Sequence, residues 1–554
     1  MKKMKKVFAV MLSLAMVLGM AMTVSAAGTK PVPADSKKVT IENVEKGATY
    51  AVYQIIDATY NENGFTGYVW AEGTSMAGQK VTFEDGAVVG LTSDEITKLA
   101  ANPGALKEKN ENFNPDKDEL TAGTWMVLVT PPETNAIKTY NPMVVSVFYT
   151  VEGSGSNNTL VTDVLDASEN WTLETTDAFA KSSEIKLDKK LDDVEFDTEV
   201  KLGQDVSFTI TSEIPSYDPT YYKNPVFNVT DTIVNGLKYK TEPVVTVGTD
   251  GVGEGVKTLT KGTEYTSNYD ANNDAFTITF TPSYITSLAD KSKEEREVNI
   301  KYSATITDDA VVMVGENKAT LDYTRTPDET STKEDKEQVF TFALNGVFGK
   351  IGDDGKALEG ATFTLYEKVE KAGAATTEIK WSETETVNGI VFGEVVTGAD
   401  GKIDFKGLDG DKTYYLMETA APDGYSINDT IYKIDIAFVD PGDAYEGEDV
   451  TYTITVTKNK PNEGDGEDDL TKTYTVTLNG TNKKGDTEIN VGEFGNEASG
   501  EKINIPNTKL GNLPSTGGIG TTIFTIGGCA IMIIAAGLFF ASRRKSSKDS
   551  AKEA

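Results

Sequence analysis

The chain has 554 residues, a formal net charge of −33, no histidine and a single cysteine, Cys529, set in an apolar run near the C-terminus. Histidine-based general-base catalysis and His-ligated metal sites are therefore excluded, and the rest of the chain has no thiol with which to form a disulfide or a Cys-Gln thioester. So acidic a surface repels nucleic acid and anionic lipid, and the composition points to no cofactor and no metal.

In chain order, Lys2, Lys3, Lys5 and Lys6 precede an apolar run over 7–24 that ends in the small-residue site Val24-Ser25-Ala26. This is the pattern of a secretory leader, and the expected cut follows Ala26. From Lys38 the pattern turns strand-like: Val39–Ile41, Tyr50–Ile56, Met126–Val129 and a closing strand at Pro142–Tyr149 are β-branched or aromatic runs between Gly, Asn and Asp turns. A short helix is expected over Ser93–Leu99, capped by Ser or Asp. The composition becomes polar from Trp171 to Lys181, which closes a first domain over 27–180.

A second domain, 181–337, has strands at Val206–Ile210, Val226–Ile233, Ala275–Phe280 and Val298–Ile306. The charged stretch Thr326–Lys336 reads as a linker. A third domain follows over 338–509, with an acidic, solvated loop from Glu463 to Asp469. Short strands with turns every 8–12 residues predict an all-β fold of three tandem immunoglobulin-like β-sandwiches. No Gly-rich phosphate loop or long soluble helix suggests an α/β enzyme. The remainder, 510–554, contains Leu513-Pro514-Ser515-Thr516-Gly517, an apolar run from Ile519 to Ala541 and the basic stop Arg543-Arg544-Lys545. That run is long enough to cross a bilayer, which takes about 20 residues, with the basic end cytoplasmic.

The order of pentamer, membrane-length run and basic stop resembles the cell-wall sorting signal of Gram-positive surface proteins. In that family a sortase thiol attacks the Thr-Gly bond, here Thr516-Gly517, and the threonine carbonyl passes to an amine. A second resemblance lies inside the third domain. Tyr414-Tyr415-Leu416-Met417-Glu418-Thr419-Ala420-Ala421-Pro422-Asp423-Gly424-Tyr425 looks like the E-box of pilin and collagen-adhesin B-type domains and matches each of its fixed positions. There the E-box glutamate helps a buried lysine form an amide with a buried asparagine and expel ammonia. The amine must be neutral and the carboxyl protonated, and burial favours both.

Strand parity selects the partners, because residues two apart share a face. Lys350 aligns with Phe342, Leu344 and Phe348, Glu418 with Tyr414 and Leu416, and Asn507 with Ile503 and Ile505. The second domain repeats the order without an E-box. Lys189 rather than Lys190 aligns with Ile185, Leu187 and Leu191; Asp231 aligns with Phe227, Val229 and Ile233; Asn317 aligns with Ala319, Leu321 and Tyr323. Polar groups on apolar faces are costly unless they satisfy one another. These residues are therefore expected as cross-links Lys189–Asn317 and Lys350–Asn507, promoted by Asp231 and Glu418. The first domain shows no comparable set.

Taken whole, the chain resembles the backbone pilins. In that family the acceptor lysine lies at the junction of the first two domains, in a Trp-containing motif that ends Tyr-Pro-Lys. Here Trp171 precedes Phe179-Ala180-Lys181, with Phe-Ala for Tyr-Pro and one extra residue of spacing, so Lys181 is the expected acceptor. Tyr222-Lys223-Asn224-Pro225 is superficially similar but falls inside the second domain. The resemblance implies a cell-surface pilus subunit and not an enzyme. Its partners would be pilin-polymerising and housekeeping sortases, further copies of itself, minor pilins and peptidoglycan, with adhesion to a host receptor as the outcome. The alternative is a singly wall-anchored adhesin or a minor pilin.

Overall fold

Period-two alternation builds most of this molecule. The computed structural model describes residues 29–84, 86–152, 158–165, 169–192, 201–233, 236–272, 274–307, 313–344, 346–367, 390–410, 412–438, 450–459, 471–478 and 502–510. The leader, the Glu463–Asp469 loop, Cys529 and the stretch from Leu513 to Lys545 lie outside the described residues.

Three hydrophobic cores follow one another along the sequence. The first runs from Val39 to Ala180 around a mixed-length sheet in which Met143–Glu152, Gly123–Thr130, Thr49–Asn61 and Gly64–Trp70 are successive neighbours. Its centre is aromatic: Phe65 meets Tyr68 at 4.8 Å and Tyr149 at 4.9 Å, and Tyr149 meets Trp171 at 5.1 Å. Tilted and edge-on pairs of this kind add to simple area burial. The polar-looking stretch after Trp171 contains one more strand, Trp171–Thr175, paired with Met143–Glu152. The helix forms over Ser93–Ala100, but its cap is Thr92, whose hydroxyl accepts from the Glu95 amide at 3.2 Å. A threonine in extended conformation one residue earlier satisfies that orphan donor as well as Ser or Asp would.

The second unit is a sandwich of two antiparallel sheets. One contains Leu187–Leu191, Asp205–Glu213 and Glu297–Ile306; the other contains Ala275–Phe280, Phe227–Thr232 and Met313–Thr326. Alternation is strict where it matters, as in Phe227–Thr232, where every second side chain is buried. The linker expected at Thr326–Lys336 is instead most of a twelve-residue strand, Glu329–Phe340, paired antiparallel with Met313–Thr326. It is the outermost strand of its sheet. Outer strands tolerate, and are protected by, charged side chains, so charge there marked an edge rather than a linker.

The third unit sets a six-stranded antiparallel sheet, from Ile390–Val396 to Thr471–Leu478, against a small sheet of Lys402–Ile403, Phe348–Gly352 and Ile503–Asn507. The last two run parallel, in the register Phe348 to Ile503, Lys350 to Ile505 and Gly352 to Asn507. Ile503–Asn507 is an edge strand and carries Pro506 without losing a ladder bond on its paired side. First and last strands of the unit are thus immediate neighbours.

Candidate functional site

Two buried clusters and one exposed amine hold the candidate reactive groups. In the third unit, the register that sets Lys350 opposite Ile505 places Asn507 two residues on, on the same face of the adjacent strand. Glu418 comes from the opposing sheet, opposite Phe363. The three side chains close a ring. The Lys350 amine donates to Glu418 Oε2 at 2.9 Å and to Asn507 Oδ1, and Asn507 Nδ2 donates to Glu418 Oε1 at 2.5 Å. The backbone amide of Asn428 adds a fourth bond, to Glu418 Oε2 at 3.0 Å. The Lys350 and Glu418 side chains have no exposed surface, and the ammonium lies 5.6 Å from the centre of the Phe363 ring.

Burial lowers the Lys350 amine below the usual lysine range, and the Glu418 carboxylate opposes that shift without cancelling it. The sign of the consequence is fixed. Wherever the folded Lys350–Glu418 pair has released the lysine proton altogether while the unfolded chain still holds it, the unfolded state binds more protons and stability rises with pH. An Asn507→Ala chain retains the lysine but has no carboxamide to react with. Its third unit is expected to gain stability as pH rises from neutrality toward the ordinary lysine pKa. Urea melts at neutral and alkaline pH check this, with Lys350→Met in the same background expected to flatten the slope. Equal slopes would acquit Lys350.

In the second unit the four groups come from both sheets. Lys189 and Tyr302 belong to one sheet, Asp231 and Asn317 to the other. The Lys189 amine pairs with Asp231 Oδ2 and donates to the Tyr302 hydroxyl at 2.7 Å. Tyr302 donates to Asp231 Oδ1 at 2.9 Å, and Tyr239 donates to the same oxygen at 2.7 Å. Asn317 reaches the group through Tyr302 alone among the described residues: its Nδ2 donates to the phenol at 2.7 Å, and its buried Oδ1 has no partner. Lys189, Asp231, Asn317 and Tyr302 are all at most 3% exposed. Burial again lowers the lysine, against the pull of Asp231. Both phenols are pushed well above the usual tyrosine range, first by burial and then by the Asp231 charge. The backbone of Lys189 is held by Asp335, which accepts from its amide at 2.7 Å from the strand that composition had suggested to be a linker.

Sequence parity thus put Lys189, Asp231 and Asn317 on inward faces but did not find Tyr302 or Tyr239. Tyr302 has inward parity with Val298, Ile300 and Ala304, so it reads as one more core aromatic. Nothing in the pattern reveals where a hydroxyl ends.

Lys181 sits between the first two units, exposed, with no partner for its amine among the described residues. Its backbone is held on both sides. Asn43 Nδ2 bonds the Ala180 carbonyl at 2.9 Å and the Ser182 hydroxyl at 3.0 Å, while the Asn141 amide donates to the Lys181 carbonyl at 2.9 Å. Asn43 adopts φ 62°, a left-handed conformation that asparagine tolerates, and Lys138 bonds its Oδ1 at 2.7 Å. Phe179, where the resembling motif has Tyr, is 67% exposed. Lys223 is also exposed, but the adjacent Tyr222 is buried and bonds the Tyr140 carbonyl at 2.6 Å across the two units.

Comparison with known proteins adds three family matches. Residues 34–171 match a T6 antigen Ig-like domain, residues 346–444 a prealbumin-like fold domain, and residues 505–548 the LPXTG cell wall anchor motif. The trypsin-resistant surface T6 protein of Streptococcus pyogenes serotype M6 is 29% identical over 97% of this chain and 99% of its own length. The solved T6 backbone pilin, described as a modular three-domain structure, superposes with a TM-score of 0.53 and 21% identity. That superposition covers 87% of this chain and all of the T6 chain and speaks to the fold. The full-length major pilin SpaD of Corynebacterium diphtheriae gives 0.42 at 16% identity, over 90% of this chain and 96% of that one. With the LPXTG cell wall anchor motif behind a prealbumin-like third unit and a surface T6 relative along its whole length, the chain is a cell-wall-anchored surface protein with the three-domain fold of the T6 backbone pilin.

Proposed function

We propose that a sortase cleaves this subunit between Thr516 and Gly517 and joins the Thr516 carbonyl to Lys181 of the next copy, giving a covalent head-to-tail shaft. The same transfer to peptidoglycan, by a housekeeping sortase, ends the shaft at the wall, and minor pilins join by the same chemistry. Each copy is stiffened by two internal amides, Lys189–Asn317 and Lys350–Asn507. The carrying observation is the closed ring of Lys350, Glu418 and Asn507, dry and mutually bonded just ahead of Leu513.

The ring can do the chemistry unaided. Proton transfer from the Lys350 ammonium to Glu418 leaves a neutral amine beside the Asn507 carboxamide. In a buried site this exchange of two charges for none is favoured. The amine attacks Cγ, and the protonated Glu418 supports the carboxamide and then protonates Nδ2. The Cγ–Nδ2 bond breaks with its electron pair on nitrogen, and the proton that Nζ sheds passes through Glu418 to the departing ammonia, which leaves as ammonium. Glu418 returns to its starting state, having acted once. Unlike a disulfide, the resulting amide cannot be reduced.

The two proposed bonds differ mechanically. Lys350–Asn507 joins neighbouring parallel strands of one sheet, whereas Lys189–Asn317 ties the two sheets of the second unit together. Tension arriving at Thr516 passes almost directly into the first of these. Between the bonds the load runs through 318–349, which includes the outer strand Glu329–Phe340 and is held by its ladder.

Intact mass spectrometry of the exported chain tests the internal bonds. Each releases one ammonia, about 17 Da, so two bonds predict a mass about 34 Da below that of the sequence. A mass equal to that of the sequence would remove both.

A further inference from the structure

The two clusters are not built alike, and the difference assigns a role to Tyr302. In the third unit Glu418 touches both reacting partners, one oxygen on the lysine and the other on Asn507 Nδ2. In the second unit Asp231 touches the lysine, but its other oxygen is taken by the hydroxyls of Tyr302 and Tyr239. The Asn317 side chain makes no bond with Asp231; its one partner among the described residues is the Tyr302 phenol. That phenol therefore contacts both nitrogens that exchange places in the reaction, Lys189 Nζ at 2.7 Å and Asn317 Nδ2 at 2.7 Å. Its ring is fixed: it stacks on Phe208 at 5.4 Å and is 3% exposed.

Building on the cross-link reading above, we propose that Tyr302 is a catalytic residue of the second unit and relays the proton between the attacking and leaving nitrogens. Lys189 first passes one proton to Asp231 and becomes a neutral amine. Nζ then attacks Asn317 Cγ, forming the new C–N bond as the carbonyl electron pair moves to Oδ1. The proton that Nζ must now shed goes to the phenol oxygen, while the phenol's own proton goes to Nδ2. The Cγ–Nδ2 bond breaks with its electron pair on nitrogen, Oδ1 returns its pair to the carbonyl, and ammonia departs. It leaves with the proton parked on Asp231, as ammonium, so that phenol and carboxylate both end as they began. A phenol suits the exchange because it donates and accepts through one atom. The high phenol pKa imposed by this site disfavours a phenolate, which fits concerted relay rather than stepwise ionisation. Turning the carboxamide over leaves Tyr302 as its partner, with Oδ1 then facing the hydroxyl; either orientation keeps the phenol on the reacting group.

The experiment is cell-free synthesis of the exported chain, quenched in denaturant at intervals and read by intact and peptide mass. In the unaltered chain both ammonias are lost. In Tyr302→Phe, which keeps the ring and deletes the hydroxyl, the Lys189–Asn317 bond is expected to form at least about 100-fold more slowly, the usual worth of a positioned acid–base group. The Lys350–Asn507 bond should form on its usual time course and serve as the internal clock. Tyr239→Phe removes a hydroxyl from the same Asp231 oxygen but touches neither reacting nitrogen, and it is expected to cross-link within a few-fold of the unaltered rate. Unaltered kinetics in Tyr302→Phe would overturn the relay. So would equal slowing in Tyr239→Phe, which assigns the effect to the hydrogen bonds on Asp231 and can be read even if Tyr302→Phe does not fold. Absence of the Lys189–Asn317 bond from the unaltered chain would instead overturn the cross-link reading beneath it.

Discussion

Lys181→Ala is expected to abolish the ladder of covalent multimers that cells expressing this chain with a pilin-polymerising sortase should show on a denaturing gel. Lys181 is exposed at the joint of the first two units, its amine has no partner among the described residues, and its backbone is held on both sides. On the proposed reaction, an incoming acyl-enzyme would meet a solvated nucleophile on a fixed platform, and placing the reactant is where much of the rate of such a transfer arises. The substitution removes one surface amine and no buried contact, so folding should not change by more than about 0.5 kcal/mol. Monomer should still reach the wall through its own Thr516. A head-to-tail contact that does not close makes a filament, so losing its single nucleophile should remove every multimer rather than shorten the ladder. A ladder that survives Lys181→Ala but disappears in Lys223→Ala would move the acceptor to Lys223. A chain that forms no multimers even unaltered would be anchored singly, as an adhesin is.

The second large effect is on stability. Asn507→Ala is expected to prevent the Lys350–Asn507 amide and to lower the stability of the third unit by about 4–5 kcal/mol, on the loop-closure model used for disulfides. The loop is long, with 157 positions between its ends. At roughly 2–4 °C per kcal/mol for a unit of this size, melting of the third unit should fall by about 10–20 °C. The first two units should melt as before. Asn507→Ala is a cleaner test than Lys350→Ala because the remaining lysine keeps its Glu418 partner and no unpaired charge is left in the core. Calorimetry resolves the units, and trypsin should nick the altered third unit first. Unchanged melting, together with no ammonia missing from the third unit of the unaltered chain, would show that no bond had been there to lose.

Much of this was legible in the residues. The alternation that identified Leu187–Leu191, Phe227–Thr232 and Ile503–Asn507 as strands also placed Lys189, Asp231 and Asn507 on buried faces, because period and burial are one signal in a half-buried strand. The reading failed at Glu329–Phe340, whose charge reflects exposure on an outer strand that its partner holds in place through a ladder of hydrogen bonds. It also failed at the helix cap, where boundaries turn on one hydroxyl.

By itself the sequence determined the order of parts along the chain, the all-β character, the inward faces of Lys189, Asp231, Asn317, Lys350, Glu418 and Asn507, and the sorting pentamer, all of which depend on local pattern. Only the tertiary structure decided who meets whom. Parallel pairing of Phe348–Gly352 with Ile503–Asn507 brings Lys350 and Asn507 together across nearly the whole third unit, and the facing sheets of the second unit insert Tyr302 between Lys189 and Asn317. Parity says which way a side chain points, but register and sheet packing set what lies within 3 Å of its last atom, and those depend on contacts distant in sequence.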